Sequence, residues 1–335
     1  MLTEDQVKES LKELLVPGIR RSLAELNLVR GVTISDGKVN ISLASTALSQ
    51  EAQNWLKTKV HDVTGRLPEV HDVETVFVEA KPVEVNEIRK VIAVMSGKGG
   101  VGKSLVAGLV ALSLARQGHA VGILDADITG PSIPMMFGIN DRPMGSDTGI
   151  MPVLSRAGIE IMSINLLLEH ADDAVIWRGP LIGNAIKQFW EDVLWGRLDY
   201  LIVDLPPGTA DAPLTVMQSL PLSGVIIVFS PQELAAMVVR KAMRMAEKMN
   251  VPILGVVENM SYFVLPETGK RLDIFGKSRA EERAKAAGVP LLGQIPIDPE
   301  LARLCDEGNI ERYDSDVLGS FAEALSQSAP TQAKK

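Results

Sequence analysis

The stretch VIAVMSGKGGVGKSLVAG, from Val91 to Gly108, constrains the fold of this chain more than any other part of its sequence. A short run rich in Val and Ile comes first, a glycine-rich loop follows, and the remainder has the composition of a helix. Such a strand, loop and helix can hold a phosphate, because glycines let backbone amides approach it and a helix N-terminus carries partial positive charge. The stretch therefore predicts an α/β fold that binds a nucleotide phosphate at this turn.

Two phosphate-binding patterns overlap in the loop. Gly97, Gly99 and Gly102 fit G-x-G-x-x-G, the dinucleotide fingerprint, while residues 97–104 fit G-x-x-x-x-G-K-S, the P-loop of nucleoside triphosphatases. A dinucleotide site also carries an acidic residue about 20 residues further on. Asp125 ends the next predicted strand at that place. The glycines alone therefore leave both kinds of site open.

Residues outside the glycines favour the P-loop. Lys103 and Ser104 follow the last glycine directly, where the lysine reaches the β- and γ-phosphates and the hydroxyl ligates Mg²⁺. Asp204 ends the apolar run YLIVD, the place at which a Walker B aspartate holds hydrated Mg²⁺. The second strand ends in two acids, Asp125 and Asp127, where a ribose clasp needs only one. The sequence therefore predicts a site for a nucleoside triphosphate with Mg²⁺.

Hydropathy patterning divides the chain into segments. Residues 1–80 have the spacing of a small α-β-β-α-β module, and 81–90 form a linker. In 91–328, short runs rich in Val and Ile alternate with helical segments. Most of these runs lack in–out alternation, which is typical of parallel strands buried on both faces. We predict a doubly wound, mainly parallel α/β domain of the P-loop type at 91–328, after the small α/β module, with a flexible tail at 329–335.

Composition limits the classes of function. The net charge of −8 disfavours a general nucleic-acid-binding surface. No apolar run approaches the roughly 18 residues of a membrane helix. The first residues, MLTEDQVKESLKELL, lack the basic start and apolar core of a signal peptide. A single cysteine, Cys305, fits a reducing compartment. We expect a cytoplasmic protein with neither a nucleic-acid partner nor a stable membrane association.

The stretches SGKGGVGKS, LDADITGPS, WRGP, DLPPGT and VVENMSYF closely resemble the Mrp/ApbC group of deviant-Walker ATPases, relatives of MinD, ParA and the nitrogenase iron protein. The resemblance covers most of Lys90–Arg312. The leading module resembles a small domain related to iron–sulfur maturation factors, although VPGIRRS stands where that domain usually has an acidic DPE signature. The resemblance implies a Mg²⁺-dependent ATPase that assists iron–sulfur cluster assembly or transfer. It further implies a homodimer with nucleotide at the interface, and scaffold or client proteins as partners.

The resemblance also implies roles for single residues. Lys98 would cross the dimer interface to the phosphates of the other copy, Lys103 would serve its own, and Asp127 would orient or deprotonate the attacking water. Asn259 and Pro296 would lie at the adenine. Taken without the resemblance, Lys98 is compatible with a solvated lysine, Asp127 with a helix cap or ion pair, and Asn259 with a strand-end turn. The expected nucleotide-binding residues are Gly97, Lys98, Gly99, Gly100, Val101, Gly102, Lys103, Ser104, Asn259 and Pro296. The expected Mg²⁺ site consists of Ser104, Asp125 and Asp204.

The sequence departs from the family pattern at the cluster ligands. Relatives that carry a cluster have C-P-x-C-G just after NMSYF, and here Leu265 and Thr268 occupy the two cysteine positions. Neither supplies the thiolate that an iron–sulfur cluster requires. Cys305 would give only two thiolates in a symmetric dimer, so a 4Fe–4S cluster held by this chain is not expected. We predict an ATP-switched adaptor or chaperone for cluster assembly. The alternative is a ParA- or MinD-like switch that recruits a partner or surface.

Overall fold

The computed structural model describes residues 2–128, 130–168, 179–232 and 235–328. The internal contacts divide the chain into two compact units. The first unit consists of Met1–Ile88, Pro143–Pro152 and Gln188–Arg197. The second unit consists of Arg89–Arg142, Val153–Lys187 and Leu198–Lys335.

The first unit contains a three-stranded sheet with helices against it. Its elements are α1 (Glu4–Leu11), β1 (Val29–Ser35), β2 (Lys38–Ala44), α2 (Gln50–Thr64), β3 (Asp72–Val78) and α3 (Pro82–Val85). Strand β2 pairs antiparallel with β1 and parallel with β3. Asp36 and Gly37 close the hairpin with φ of 49° and 76°, the positive values that a tight two-residue turn requires. The order α-β-β-α-β is the one that the hydropathy pattern predicts.

The first unit contains residues outside the predicted module at 1–80. It includes residues 143–152 and 188–197, which lie within the range predicted for the nucleotide-binding domain. The first of these segments forms the hairpin of β6 (Gly145–Ser146) and β7 (Gly149–Ile150). Met151 and Leu194 are buried in the core of this unit, so the two segments complete its packing. Within the predicted linker 81–90, α3 and the start of the next strand are regular structure.

From residue 87 onward the chain alternates between strands and helices. The strands are β4 (Glu87–Ser96), β5 (Val121–Asp125), β8 (Val153–Leu154), β9 (Glu160–Ser163), β10 (Arg197–Asp204), β11 (Gly224–Phe229), β12 (Ile253–Glu258), β13 (Phe263–Val264), β14 (Arg271–Leu272) and β15 (Leu291–Gln294). The helices are α4 (Lys103–Arg116), α5 (Ile133–Phe137), α6 (Gly179–Asp192), α7 (Asp211–Ser219), α8 (Ala235–Lys248), α9 (Ala280–Ala287), α10 (Pro299–Asp306) and α11 (Asp316–Ser328), with 3₁₀ turns at Ile164–Leu166 and Ile310–Arg312.

Eight strands form the central sheet in the order β15-β12-β11-β4-β10-β5-β9-β8. Strands β5, β9, β11, β12 and β15 all take part in parallel pairings, and the edge strand β8 pairs antiparallel with β9. Every residue of β5 and of β11 is buried, because helices cover both faces of the sheet. The structure thus confirms a mainly parallel doubly wound sheet. In this sheet β5, β8, β9 and β10 lie on one side of β4, and the later strands β11, β12 and β15 lie on the other. The end of β4 is therefore a topological switch point.

The last helix packs within the second unit. Helix α11 contacts α4 and β15, and Leu318, Phe321 and Leu325 are buried in the main apolar core. Ser113 in α4 donates a hydrogen bond to the carbonyl of Leu318. No helix within the described ranges is both long and apolar enough to span a bilayer.

Candidate functional site

The glycine-rich loop connects the end of β4 at Ser96 to the start of α4 at Lys103. Gly100 and Gly102 adopt φ of 77° and 79°, in the left-handed region that favours glycine. A Cβ atom on Gly102 would overlap the side-chain amide of Asn259. Gly102 is also the N-cap of α4, and no side chain caps this helix. The first amides of α4 are therefore available to an anion at the place where the sequence predicts phosphate.

Four titratable side chains lie close together at the start of α4. Lys103 Nζ donates to Asp204 Oδ1 at 2.5 Å and lies 3.6 Å from Asp127 Oδ2. Asp204 and Asp125 face each other in the register of the parallel strands β10 and β5. Lys103 is 6% exposed, Asp127 is 8% exposed, and Asp125 and Asp204 are fully buried. The structure thus brings together the predicted phosphate lysine, the Walker B aspartate and both acids of the second strand.

Burial disfavours ionisation of Asp125 and Asp204. It raises the pKa of Asp125 to about 8, with the nearby Asp204 carboxylate as the next cause. It also raises the pKa of Asp204, against which the Lys103 ammonium acts. Asp204 Oδ2 is buried and has no hydrogen-bond partner in the described part of the chain. A bound cation would supply both the missing positive charge and a partner for this oxygen.

The oxygen donors at this place fit Mg²⁺. Ser104 Oγ lies 3.3 Å from Lys103 Nζ, and Asp204 offers its unpartnered oxygen. No three His, Cys, Asp or Glu side chains in the described ranges form a ready cage for a metal ion. Mg²⁺ needs no such cage, because it commonly keeps several waters and is held by one or two carboxylates together with substrate phosphates.

Asp125 has a different environment from Asp204. Its Oδ1 accepts a hydrogen bond from the Asp127 amide at 3.2 Å, and its Oδ2 accepts one from the Ile133 amide at 3.2 Å. Ser163 Oγ lies 3.4 Å from the same Oδ2. These contacts fasten the segment after β5 to the end of that strand. Both oxygens of Asp125 already accept hydrogen bonds, and its place in the expected Mg²⁺ site stays a prediction.

Lys98, the second lysine of the loop, is held within its own chain. Its Nζ donates to Gln232 Oε1 at 2.8 Å, and its carbonyl accepts a hydrogen bond from Ser96 Oγ at 2.9 Å. Its side chain is half-buried. The action of Lys98 on a second copy stays a prediction.

Asn259 lies beside the loop as predicted for a nucleotide-binding residue, but it has a contact that the sequence did not indicate. Its Nδ2 donates to the carbonyl of Val101 at 3.0 Å, and only 2% of the residue is exposed. The Ile295 amide donates to the carbonyl of Glu258 at 2.9 Å, so the residues preceding Pro296 and Asn259 are neighbours. Asn259 therefore supports the loop from the side of β12, and a role at adenine stays a prediction for both Asn259 and Pro296.

Sequence reasoning missed a buried carboxylate at the end of β12. Glu258 is fully buried, and its Oε2 accepts hydrogen bonds from Ser261 Oγ at 2.6 Å, Ser278 Oγ at 2.5 Å and Gln294 Nε2 at 3.1 Å. These bonds join the ends of β12 and β15 to the residues before α9. The signal that was available is an acidic residue closing an apolar run, as in the other strands of the site.

The two positions of the family cysteines lie in the turn between β13 and β14. The Leu265 amide donates to the carbonyl of Lys270 at 3.0 Å, and the Gly269 amide donates to the carbonyl of Leu265 at 2.8 Å. Leu265 is half-buried and Thr268 is exposed. Cys305 lies in α10 against the main core, and burial raises the pKa of its thiol to about 11. In the WRGP stretch, Trp177 and Arg178 lie outside the described residues.

Comparisons with known proteins show which family the chain resembles. Residues 87–328 match the ParA family model, described as NUBPL iron-transfer P-loop NTPase. Residues 4–76 match a model described as an iron–sulfur cluster assembly protein. An iron–sulfur cluster carrier protein of Synechocystis sp. is 40% identical over 324 residues, which are 92% of this chain and 91% of that protein. The similarity to that protein therefore extends over both compact units.

Solved structures show the same architecture. A nucleotide-binding protein of Archaeoglobus fulgidus in complex with ADP is 49% identical with a TM-score of 0.64, over 70% of this chain and 92% of that chain. The septum site-determining protein MinD of Pyrococcus horikoshii, complexed with Mg-ADP, is 20% identical with a TM-score of 0.51, over 72% of this chain and 97% of that one. The likeness to MinD concerns the fold alone.

Proposed function

Because the chain belongs to the ParA family of NUBPL iron-transfer P-loop NTPases, we propose that it binds and hydrolyses ATP with Mg²⁺ in the service of iron–sulfur cluster assembly or transfer. The observation that carries the proposal is the buried contact of 2.5 Å between Lys103 Nζ and Asp204 Oδ1. In P-loop NTPases a lysine that reaches the phosphates and a strand-end aspartate that serves Mg²⁺ occupy these places. The Synechocystis relative named as a cluster carrier and the ADP-bound relative of known structure support the two halves of the proposal.

ATP would be held mainly by the backbone. The loop amides of 97–102 and the uncapped start of α4 would offer hydrogen bonds and partial positive charge to the triphosphate. Lys103, the first residue of α4, would add a full positive charge once its Nζ turns from Asp204 to the phosphates. Asn259 keeps the loop in place through Val101, and with Pro296 it would flank the base.

Mg²⁺ would be held by Ser104 Oγ and Asp204, with the remaining positions left to water and phosphate oxygens. When bound, the ion neutralises charge on the β- and γ-phosphates. Asp125 would act from outside this set, because its oxygens already accept hydrogen bonds from the amides of Asp127 and Ile133. Its part is to fix the segment that carries Asp127.

Hydrolysis would use Asp127 and a second copy of the chain. Asp127, held 3.6 Å from Lys103, would orient a water molecule and accept its proton. The water oxygen then bonds to the γ-phosphorus, the bond to the β–γ bridging oxygen breaks, and ADP leaves. Lys98 of the second copy would stabilise the charge on the transferred group, the part an arginine finger plays elsewhere. This scheme requires a homodimer with nucleotide at its interface.

In cluster assembly, we infer the role of an ATP-switched adaptor or chaperone for scaffold and client proteins. The single cysteine supports this inference, because two copies together offer only two thiolates. A second candidate, a partner-recruiting switch of the ParA or MinD kind, is favoured by Leu265 and Thr268 at the family's cysteine positions. ATP-dependent capture of a cluster scaffold protein supports the adaptor, and capture of membrane or DNA supports the switch. The cytoplasmic location stays a prediction.

Hydrolysis assays on single-lysine variants test the proposal. Lys103→Ala should abolish ATP binding and turnover, because the buried phosphate lysine is lost. Lys98→Ala should retain ATP binding and lose turnover, while Lys285→Ala, an exposed lysine on α9, should behave as wild type. Turnover by Lys98→Ala at the wild-type rate contradicts the action of Lys98 in trans.

A separate experiment tests the adaptor role. A stable iron–sulfur absorption band after anaerobic reconstitution with iron and sulfide contradicts this role.

A further inference from the structure

A groove in the second unit lies between α7 and α8. This α7–α8 groove has a volume of about 450 Å³. Its lining includes Asp211, Leu214, Lys241, Arg244, Met245 and Lys248. None of these residues belongs to the nucleotide site described above. The groove therefore needs an explanation of its own.

The groove is locally positive on an acidic protein. Lys241, Arg244 and Lys248 are all exposed, and none of their side chains makes an ion pair or hydrogen bond with another residue in the described ranges. By contrast, the exposed Arg303 in α10 pairs with Glu300 and Glu307 at 2.7 and 2.6 Å. Whereas the whole chain carries a net charge of −8, the charged residues lining the groove sum to 3 − 1 = +2. Such a local reversal of charge attracts and orients an acidic ligand.

The spacing of the cations defines the size of the ligand. The three residues stand at i, i+3 and i+7 on one helix, and they therefore share a face about 10 Å long at roughly 1.5 Å per residue. A single inorganic anion cannot meet all three. A peptide segment with two or three carboxylates can do so, whether it is helical or extended.

The floor of the groove is apolar. Met245 lies between Lys241 and Lys248 on the helix and is 8% exposed, and the half-buried Leu214 of α7 joins it in the lining. Methionine adapts its shape to different apolar partners. An apolar side chain placed among the carboxylates of a ligand would therefore lie on this floor while the carboxylates meet the cations.

We propose that the α7–α8 groove docks an acidic segment of a partner protein, in which carboxylates flank an apolar side chain. The carboxylates pair with Lys241, Arg244 and Lys248, and the apolar side chain packs on Met245 and Leu214. Nucleic acid fits less well, because Asp211 lines the groove and the whole chain carries a net charge of −8. This inference does not depend on ATP hydrolysis.

Fluorescence anisotropy on the full chain tests the proposal. The probe is a labelled peptide with four glutamates around two leucines, and matched peptides replace either the glutamates or the leucines by glutamine. Arg244→Glu should weaken binding of the acidic peptide by about tenfold at low salt, and the difference should shrink as salt rises. Arg240→Glu is the matched control: it makes the same charge change at an exposed site on α8 outside the lining, and it should bind as wild type.

Three outcomes overturn the proposal. The first is equal peptide binding by wild type and Arg244→Glu. The second is no loss of affinity when the leucines of the peptide are replaced by glutamine. The third is preferential binding of single-stranded DNA or phosphatidylserine vesicles that Arg244→Glu abolishes. ATP turnover of Arg244→Glu is measured alongside and should equal that of the wild type, which separates failure of the docking site from failure of the ATPase.

Discussion

Replacing Lys103 by Met removes an ammonium from among three buried carboxylates. In the wild type its Nζ lies 2.5 Å from Asp204 and 3.6 Å from Asp127, and Asp125 ends the strand beside Asp204. With all four groups ionised their charge is 1 − 3 = −2, and it becomes −3 in the variant. Losing one partner of a buried ion pair costs about 3–5 kcal/mol, because the remaining charge is left without compensation. We expect the lower value, roughly 3 kcal/mol, since carboxylates whose pKa is already raised can take up protons.

The double variant Lys103→Met/Asp204→Asn is the control for this reasoning. It removes the carboxylate that contacts the lysine most closely, so it should recover more than half of the lost free energy of unfolding. A neutral amide at position 204 leaves no uncompensated charge there. A simple loss of lysine packing would be the same in both variants.

Hydrogen exchange followed by mass spectrometry is the suitable assay, on the chain without nucleotide or Mg²⁺. Peptides from α4 and β10 report the site directly. Fluorescence is less informative, because three of the four tryptophans, Trp55, Trp190 and Trp195, belong to the first unit. Exchange in α4 and β10 should be fastest in Lys103→Met and slower in the double variant. Wild-type exchange in Lys103→Met, or faster exchange in the double variant, refutes the argument from buried charge.

Three further predictions address the loop, the second acid and the cysteine. Gly102→Ala and Gly118→Ala both force alanine into a left-handed backbone, with φ of 79° and 84°, but only the alanine at 102 would overlap the Asn259 amide. Each variant should lose about 1–2 kcal/mol of stability, and only Gly102→Ala should lose ATP binding in a titration. Equal ATP binding by both variants contradicts the steric argument. The Asp125 pKa is about 8 in the folded chain against 3.8 as its ordinary value, so the folded state binds the extra proton and stability falls as pH rises between these values. Urea unfolding in metal-free buffer should therefore show a steeper fall between about pH 5 and pH 8 for wild type than for Asp125→Asn, and parallel curves count against this. With its pKa at about 11, the Cys305 thiol should react with Ellman's reagent more slowly than glutathione at about pH 8 and accelerate at higher pH; a rate equal to that of glutathione is the contrary result.

Local sequence patterns determine most of the fold. Strands such as β5 and β11 are continuous apolar runs because helices cover both faces, and the structure buries all their residues. The hairpin of β1 and β2 follows from a turn that needs positive φ at Asp36 and Gly37. The assignment of 143–152 and 188–197 to the first unit was not predictable, because it depends on long-range contacts. One of these is the hydrogen bond from the Ala47 amide to Thr148 Oγ1 at 2.9 Å, which no periodicity encodes.

The candidate site divides in the same way. Asp125 and Asp204 each end an apolar run, and parallel strands bring such ends to one edge of a sheet, so their meeting with Lys103 was predictable. The hydrogen bond from Asn259 to Val101 depends on β12, β11 and β4 being neighbours, an order that hydropathy does not give. The buried network of Glu258 depends on the same order, since Gln294 belongs to the edge strand β15.

The central claim is that the amides ahead of Lys103 hold a nucleoside triphosphate with Mg²⁺. Calorimetric titration of the full chain with ATP, with and without Mg²⁺, measures this binding directly. The account predicts binding of ATP that Mg²⁺ strengthens and that Lys103→Ala abolishes. Absence of ATP binding together with tight binding of a nicotinamide or flavin dinucleotide would contradict it.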